Sequence, residues 1–350
     1  MLINFVSDPI KNSSNRWRNF FALALVFFGV GFIMVSRIGL FVNISAASEK
    51  FNPKTLLASY SLKIGGDLEI TPPLLPAPPL WPVPTLIGEL PSSTIFTAKA
   101  FFVKDLASNQ VLFAKDENTT RPTASIAKLM TVLVLLEKSI DWDAVLTVVG
   151  EEDLVDSHMY AGDTYSYTDL WNAALVGSSN KAIFTMVVGQ GYSMETFVAR
   201  MNQKAIELGL ANTHFADPAG LDQNTVSNAS DVALLLNAAL GKSEIKESLL
   251  KREYVLYSKE RKKKHHMWST DWLLLNWIPQ NSFTVLGGKT GYTEAAEYNF
   301  TVAVKNKEDR EIIVVVLGAD THEARFFEAR DLAKAVFGAY EWKSVFVADQ

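Results

Sequence analysis

Between positions 72 and 91 the chain places eight of its 13 prolines. Proline lacks the amide proton that a helix interior or a central strand needs, and it fixes φ, so no packed layer can be built across this stretch. Proline at that density favours an extended spacer of about 3.1 Å per residue, on the order of 60 Å in all. Leu74, Leu75, Leu80 and Trp81 interrupt it with apolar groups, so the alternative of a segment laid along a domain or a partner stays open. A compact fold has to come after this stretch, and what precedes it stands apart.

What precedes it is a basic amino end followed by an apolar run. Residues 1–18 carry Lys11, Arg16 and Arg18 against one acid, Asp8, and residues 19–36 hold no charge and are nearly all apolar. As a helix those 18 residues would cross about 27 Å, close to the hydrocarbon thickness of a bilayer. Arg37 would snorkel, or be passed over if the span continues to Val42, and the positive flank keeps residues 1–18 in the cytoplasm and exports the rest. The expectation is a single-pass transmembrane anchor over 19–42. Ser45-Ala46-Ala47-Ser48 offers a cleavage site, so the alternative is a signal peptide and a secreted product.

With 350 residues, 48% hydrophobic and 20% charged, the chain can bury one good core. Its net charge of -5 and pI near 5.6 argue against a nucleic-acid partner. The lack of cysteine rules out disulfides, thiolate catalysis and Cys-based zinc sites. His265 and His266 are adjacent and cannot share a face, so no metal centre and no cofactor is expected.

From Thr97 the pattern alternates, turns at Ser108-Asn109 and resumes at Val111-Leu112-Phe113, which predicts a hairpin. A largely helical block follows from Ser125 to about Gly241. In it Thr168-Asp169 opens a helix leading into Ser178, and Ser193 caps another that Gly209 ends. Strands then return: 284–286 leading into Lys289, and a hairpin of 299–305 with 311–317. A last helix is expected from about 323 to 342. Two early and three late strands split by helices imply one antiparallel sheet flanked by helices, with a helical subdomain against it: an α+β class. The domain is expected to span 96–343, after a Pro-rich linker over 43–95 and before a short tail, 344–350, with no further domain.

The chemistry concentrates in Arg121-Pro122-Thr123-Ala124-Ser125-Ile126-Ala127-Lys128. Pro122 suits a helix start and the apolar run behind it a buried helix. Ser125 would then sit in the first turn, with the Lys128 ammonium over its hydroxyl. The positive helix end, burial and a nearby second cation, Lys289, would all disfavour a charged Lys128, and a neutral lysine can take the serine proton. The same Ser-x-x-Lys spacing recurs at Ser178 with Lys181 and at Ser243 with Lys246, so spacing alone decides nothing. What raises the first match is the order of company: Ser178-Ser179-Asn180, then Lys289-Thr290-Gly291. Ser-x-x-Lys, Ser-x-Asn, Lys-Thr-Gly is the trio of class A β-lactamases and penicillin-binding proteins.

Flanking segments extend the likeness. They are Ala98-Lys99-Ala100, Phe215-Ala216-Asp217-Pro218-Ala219-Gly220-Leu221, Ser227-Asn228-Ala229-Ser230-Asp231 and Arg325-Phe326-Phe327-Glu328-Ala329-Arg330-Asp331. With them the chain, over about residues 96 to 342, resembles the low-molecular-weight penicillin-binding proteins of the D-alanyl-D-alanine carboxypeptidase (S11 peptidase) family. The resemblance implies the β-lactamase/penicillin-binding-protein-like fold and a serine-type D-Ala-D-Ala carboxypeptidase. Ser125 would be the nucleophile and Lys128 its base. Ser178 would relay protons to the leaving group, and Asn180 would hold the substrate amide and orient Lys128. Lys289 and Thr290 would bind the substrate carboxylate, Gly291 would let the peptide lie against the strand, and the N–H groups of Ser125 and Tyr292 would form the oxyanion hole. Partners implied are peptidoglycan stem peptides, β-lactams as covalent inhibitors, and the membrane.

The rival readings are a DD-endopeptidase, a β-lactamase, or a silent wall-binding module. Asn180 is followed by Lys181 where the family usually has Asp, and Ala296 by Glu297 where it usually has Gly; both put substrate fit in question. Lys259 to Lys264 reads as a solvated hairpin tip or a contact for anionic polymer or lipid, and Trp268, Trp272 and Trp277 as core or cleft wall.

Overall fold

The computed structural model describes Leu62–Lys63, Glu69–Ile70, residues 83–150 and residues 159–343. The expected span over 19–42, most of the proline-dense stretch and the tail lie outside the described residues. The chain forms two units, Met1–Pro78 and Pro79–Gln350. In the first, β1 (Leu62–Lys63) and β2 (Glu69–Ile70) form a short antiparallel pair. Among the described residues no helix is long and apolar enough to cross a membrane.

The second unit opens with β3 (Pro84–Leu86), followed by the predicted hairpin, β4 (Ala100–Asp105) and β5 (Val111–Lys115). A short strand, β6 (Arg121–Pro122), then leads to α1 (Lys128–Leu135). The helical block continues through β7 (Val145–Thr147), β8 (Thr164–Ser166), α2 (Tyr167–Val176), α3 (Asn180–Gly189), α4 (Met194–Glu207), β9 (Val226–Ser227), α5 (Ala229–Leu240) and α6 (Ser243–Leu249). A separate hairpin, β10 (Glu253–Ser258) and β11 (Lys263–Trp268), precedes β12 (Phe283–Thr293), β13 (Glu297–Asn306) and β14 (Glu311–Ala319). The chain closes with α7 (Ala324–Ala339) and β15 (Tyr340–Trp342).

The sheet joins both ends of the domain in the order β12-β13-β14-β4-β5, all antiparallel. Its middle strands are apolar on both faces because both faces are covered. Ile312, Val314 and Val316 of β14 pack with Phe101 and Val103 against Phe326, Leu332 and Val336 of α7. Their alternate neighbours Ile313, Val315 and Leu317 join Phe102 in the core of the helical block, with Ile126, Leu129 and Leu236. Two-residue alternation thus sends one strand into two cores. Each fully buried aliphatic side chain there contributes about 1.5 to 3 kcal/mol. One edge of the sheet, β12, faces the helical block, and the cleft forms along it.

Helix starts follow local chemistry. Ser166, Ser179, Ser193 and Asn228 each accept from a backbone N–H two or three residues into α2, α3, α4 and α5. Gly209, with φ +73°, follows α4 as expected.

Four expectations change. Pro122 does not start a helix: β6 pairs with β9, Thr123 donates to the Thr225 carbonyl, and a 3-10 turn over Ala124–Ala127 leads into α1. The last helix stops at Ala339, and β15 turns back to pair with β3. The spacer therefore does not run uninterrupted to residue 95, since Pro84–Leu86 is laid along the domain as an edge strand whose neighbours Ile87 and Gly88 both donate to the Ala339 carbonyl. Trp268 and Trp277 are neither core nor buried wall but half exposed, because the outward face of β11 carries Trp268 in step with His266 and Lys264.

Candidate active site

Ser125 lies within the 3-10 turn, where side chains three apart eclipse. Lys128 Nζ accordingly stands 2.6 Å from Ser125 Oγ, with two further contacts, to Asn180 Oδ1 at 2.7 Å and the Ala219 carbonyl at 3.0 Å. The lysine is fully buried. Three oxygens around one nitrogen suit either protonation state. An ammonium donates to all three. An amine donates to Asn180 and Ala219 and turns its lone pair to the serine O–H. This is a seat for a base.

The turn is held under strain. Ala124, next to the nucleophile, has φ +49°, a conformation costing about 1–2 kcal/mol for a residue with a Cβ. Two glycines press on it: a Cβ at Gly220 would stand 1.9 Å from the Ala124 carbonyl oxygen, and one at Gly291 2.5 Å from that of Thr123. Both positions require glycine because backbone meets backbone there.

Ser178 follows α2 and Gly177 in the left-handed region, φ +60°, and its hydroxyl accepts from Lys289 Nζ at 2.8 Å. Asn180 opens α3 and reaches Lys128 from the opposite side. Lys289, on β12, is buried and makes no ion pair among the described residues; Nζ also donates to the Thr290 carbonyl at 3.0 Å. Burial first, then the Lys128 and Arg325 charges, hold it well below the usual lysine range. Thr290 and Thr270 share a hydroxyl contact of 2.7 Å.

A cavity of about 350 Å³ runs along these groups, bordered by Ser125, Ser178, Thr270, Thr290, Gly291 and Tyr292, and floored by Trp272, His322 and Arg325. A larger hollow, about 520 Å³ around Asp105, Arg310 and Trp342, contains neither serine nor lysine and no candidate chemistry.

Arg325 had no role assigned from sequence. It opens α7, is buried, and its Nη1 donates to the Gly291 carbonyl at 3.2 Å, while Nε has no partner among the described residues. Burial brings its pKa down to about 10. Behind it Asp271 is fully buried; Oδ1 accepts from the N–H groups of Leu273 and Leu274, Oδ2 has no partner, and burial raises its carboxyl to about 6. Nothing in the spacing of Arg325 or Thr270 points to the cleft, since each reaches it only through sheet and helix packing.

The two departures from the family pattern do not border the cavity. Lys181 is buried and donates to the Met159 carbonyl at 3.1 Å. Glu297 sits at φ +56°, where glycine would be at ease, and its carboxylate accepts from Arg121 at 2.7 Å. That ion pair offsets the backbone cost.

Comparison with known proteins bears on the family and the fold. The family profile described as D-alanyl-D-alanine carboxypeptidase, peptidase S11, matches residues 89–321. A D-alanyl-D-alanine endopeptidase of Haemophilus influenzae is 29% identical over 231 residues, 65% of this chain and 77% of its own length. D-alanyl-D-alanine carboxypeptidase DacF of Bacillus subtilis is 29% identical over 271 residues, 75% of this chain and 68% of its own. The crystal structure of a D-alanyl-D-alanine carboxypeptidase from Mycobacterium tuberculosis H37Rv superposes with a TM-score of 0.62 at 26% identity, covering 71% of this chain and 93% of that one. A mutant of the Streptomyces K15 DD-transpeptidase shares the fold, with a TM-score of 0.63 at 23% identity over 69% of this chain and 98% of its own. With matching sequence over most of the domain and the penicillin-binding/β-lactamase-like fold around Ser125 and Lys128, the chain belongs to the S11 peptidase family of D-alanyl-D-alanine carboxypeptidases.

Proposed function

We propose that this serine hydrolase removes the terminal D-Ala from peptidoglycan stem peptides through a Ser125 acyl-enzyme, working at the outer face of the membrane from an anchor over residues 19–42. The observation that carries the chemistry is the contact of buried Lys128 with Ser125 at 2.6 Å, beside a cavity that Arg325 borders and that Lys289 reaches through Ser178. Lys289 and Arg325 are buried and make no ion pair among the described residues, and a buried cation is costly unless an anion comes to it. A peptide ending in a free carboxylate supplies that anion and so carries its own recognition group.

In this reading the carboxylate is held by Thr290, Lys289 and Arg325, which puts the preceding carbonyl over Ser125. Lys128 takes the Oγ proton as Oγ bonds to that carbon, and the N–H groups of Ser125 and Tyr292 receive the oxyanion. As the C–N bond breaks, the Lys128 ammonium gives back the proton it took, relayed through Ser178 to the D-Ala nitrogen, and Lys128 is left neutral. Water, deprotonated by the neutral Lys128, then adds to the acyl carbon, and Lys128 returns that proton to Ser125 Oγ as the C–Oγ bond breaks. A β-lactam would stop at the acyl stage.

Intact-mass measurement after penicillin exposure tests the nucleophile: an adduct of one penicillin is expected on the wild type and none on Ser125→Ala. An unmodified wild type would sink the proposal. Because relatives of 29% and 30% identity are named endopeptidases, cross-linked dimers assayed beside a soluble pentapeptide decide between cleavage of cross-links and of terminal D-Ala. Faster turnover of the pentapeptide is expected.

A further inference from the structure

An unbroken row of aromatic rings leaves the cleft. Tyr292 stacks on Tyr298 at 4.5 Å between centroids, Tyr298 meets His322 at 6.0 Å, and His322 meets Trp272 at 4.4 Å. Trp272 then touches Trp277 at 5.5 Å, and Trp277 touches Trp268 at 6.2 Å, on the outward face of the β10–β11 hairpin. The cleft end is shared with the cavity beside Ser125, which Tyr292, Trp272 and His322 border. Both ends are open: Tyr292 at the cleft is 50% exposed, and Trp277 and Trp268 at the outer end are 51% and 49% exposed. Large rings exposed at both ends of one row, with partly exposed rings between them, are not what a solvated surface keeps without use.

The row is held in place. Trp272 lies flat on Phe326 of α7, 9° between planes. His266, paired with Glu253, closes on Trp268 edge-on at 4.7 Å. Beyond it the hairpin tip is fastened by Ser258 donating to Asp163 and by the Arg261–Asp163 ion pair. Rings fixed by their neighbours lose little freedom when a flat ligand settles on them.

We propose that this row binds the sugar rings of the peptidoglycan glycan strand and so extends the active site from the peptide to the polymer that carries it. The inference rests on the functional reading above. A pyranose presents an apolar face of C–H groups rimmed by hydroxyls, which matches a Trp or Tyr ring with a polar edge. Continuity with the cavity selects this occupant: a stem peptide at Ser125 is tethered to just such a strand. His322 supports an uncharged surface, since burial and the Arg325 charge hold its pKa below the usual range.

The test uses the full-length protein and two probes: peptide-free glycan strands, and intact peptidoglycan beside a soluble pentapeptide. Glycan strands should quench tryptophan fluorescence of the wild type. In the Trp268→Ala/Trp277→Ala variant their binding should weaken about tenfold, and D-Ala release from intact peptidoglycan should fall about tenfold. Release from soluble pentapeptide should stay within about twofold of wild type in that variant. The Trp268→Phe/Trp277→Phe variant should retain polymer activity, which separates stacking from a folding defect. Equal losses on polymer and pentapeptide, or glycan binding that is absent or indifferent to both tryptophans, would overturn the proposal. Wild type inert toward pentapeptide and penicillin would overturn the functional reading instead, and glycan binding could still be scored on its own.

Discussion

Ser125 with Lys128 and Ser178 with Lys181 have the same spacing and opposite fates. In the first pair Ser125 lies in the 3-10 turn and Lys128 caps that turn as α1 begins, so one continuous turn spans them and the lysine nitrogen reaches the hydroxyl at 2.6 Å. In the second the chain breaks between them: Ser178 lies outside α2 in a left-handed conformation, Ser179 caps α3, and Lys181 points to the Met159 carbonyl. Ser178 takes its cation from 111 residues away, Lys289. A Ser-x-x-Lys pattern therefore means a Ser–Lys pair only where a single turn spans it. The third copy makes the same point, since Ser243 donates to the neighbouring Glu244 on the exposed face of α6.

The sharpest way to break this contrast is to exchange the lysines' side chains. Lys128→Ala should slow β-lactam acylation of Ser125 by at least about 100-fold, and Lys128→Arg should fail too, because a guanidinium cannot serve as base near neutrality. Lys181→Arg, read by the same stopped-flow assay, should change acylation by less than about threefold. Equal losses for Lys128→Arg and Lys181→Arg would erase the distinction.

Buried charge behind the cleft gives the next largest effect. Asp271 has its carboxyl raised from 3.8 to about 6 by burial, so its protonated form is preferred in the folded state. Its stabilising contribution is full below pH 3.8 and is lost as pH rises to about 6. Asp271→Asn should therefore stabilise the protein by up to about 3 kcal/mol at pH 7.5 and by almost nothing below pH 4, measured by urea denaturation. A gain independent of pH would mean that packing, not ionisation, sets it.

Lys289 distinguishes recognition from scaffolding. Lys289→Ala should cost about 1.5 to 3 kcal/mol in kcat/KM for peptides ending in free D-Ala-D-Ala and much less for an amide-capped analogue. Equal losses would make Lys289 structural. The smallest effect concerns the backbone at Ser178. Ser178→Gly should relieve the left-handed conformation and raise stability by about 1 kcal/mol while activity falls, because the hydroxyl that meets Lys289 is gone. A destabilised glycine variant would show that the hydroxyl, not the strain, dominates locally.

Much of the fold could be read from the chain. The hairpin near residue 100, the capped helix after Ser193 and the closing strands follow from period and capping, which are local, whereas the helix expected to open at Thr168-Asp169 starts at Tyr167 with Ser166 as its cap. Ser125, Lys128, Asn180, Ser178 and Lys289 were legible because motifs keep their order. Pro122 misled, because strand pairing with Val226 and the squeeze of Gly220 and Gly291 fixed a turn that helix propensity does not describe. The close was misjudged for a similar reason: the apolar pattern continues past Ala339, but Tyr340–Trp342 gains strand hydrogen bonds from Pro84–Leu86, a partner over 250 residues earlier in sequence.

By itself, then, the sequence determined which groups can do chemistry, the order in which they occur and the layers that bury them, because spacing, charge and hydrophobic period are properties of neighbours along the chain. Tertiary structure decided which lysine meets which serine, and that Arg325 and Thr270 join the cleft. It also decided that Lys181 and Glu297 face away from it and that scattered aromatic residues align into one row. Each of those depends on groups far apart in sequence meeting within a few ångströms, and burial then sets their charge by removing water that no local pattern can count.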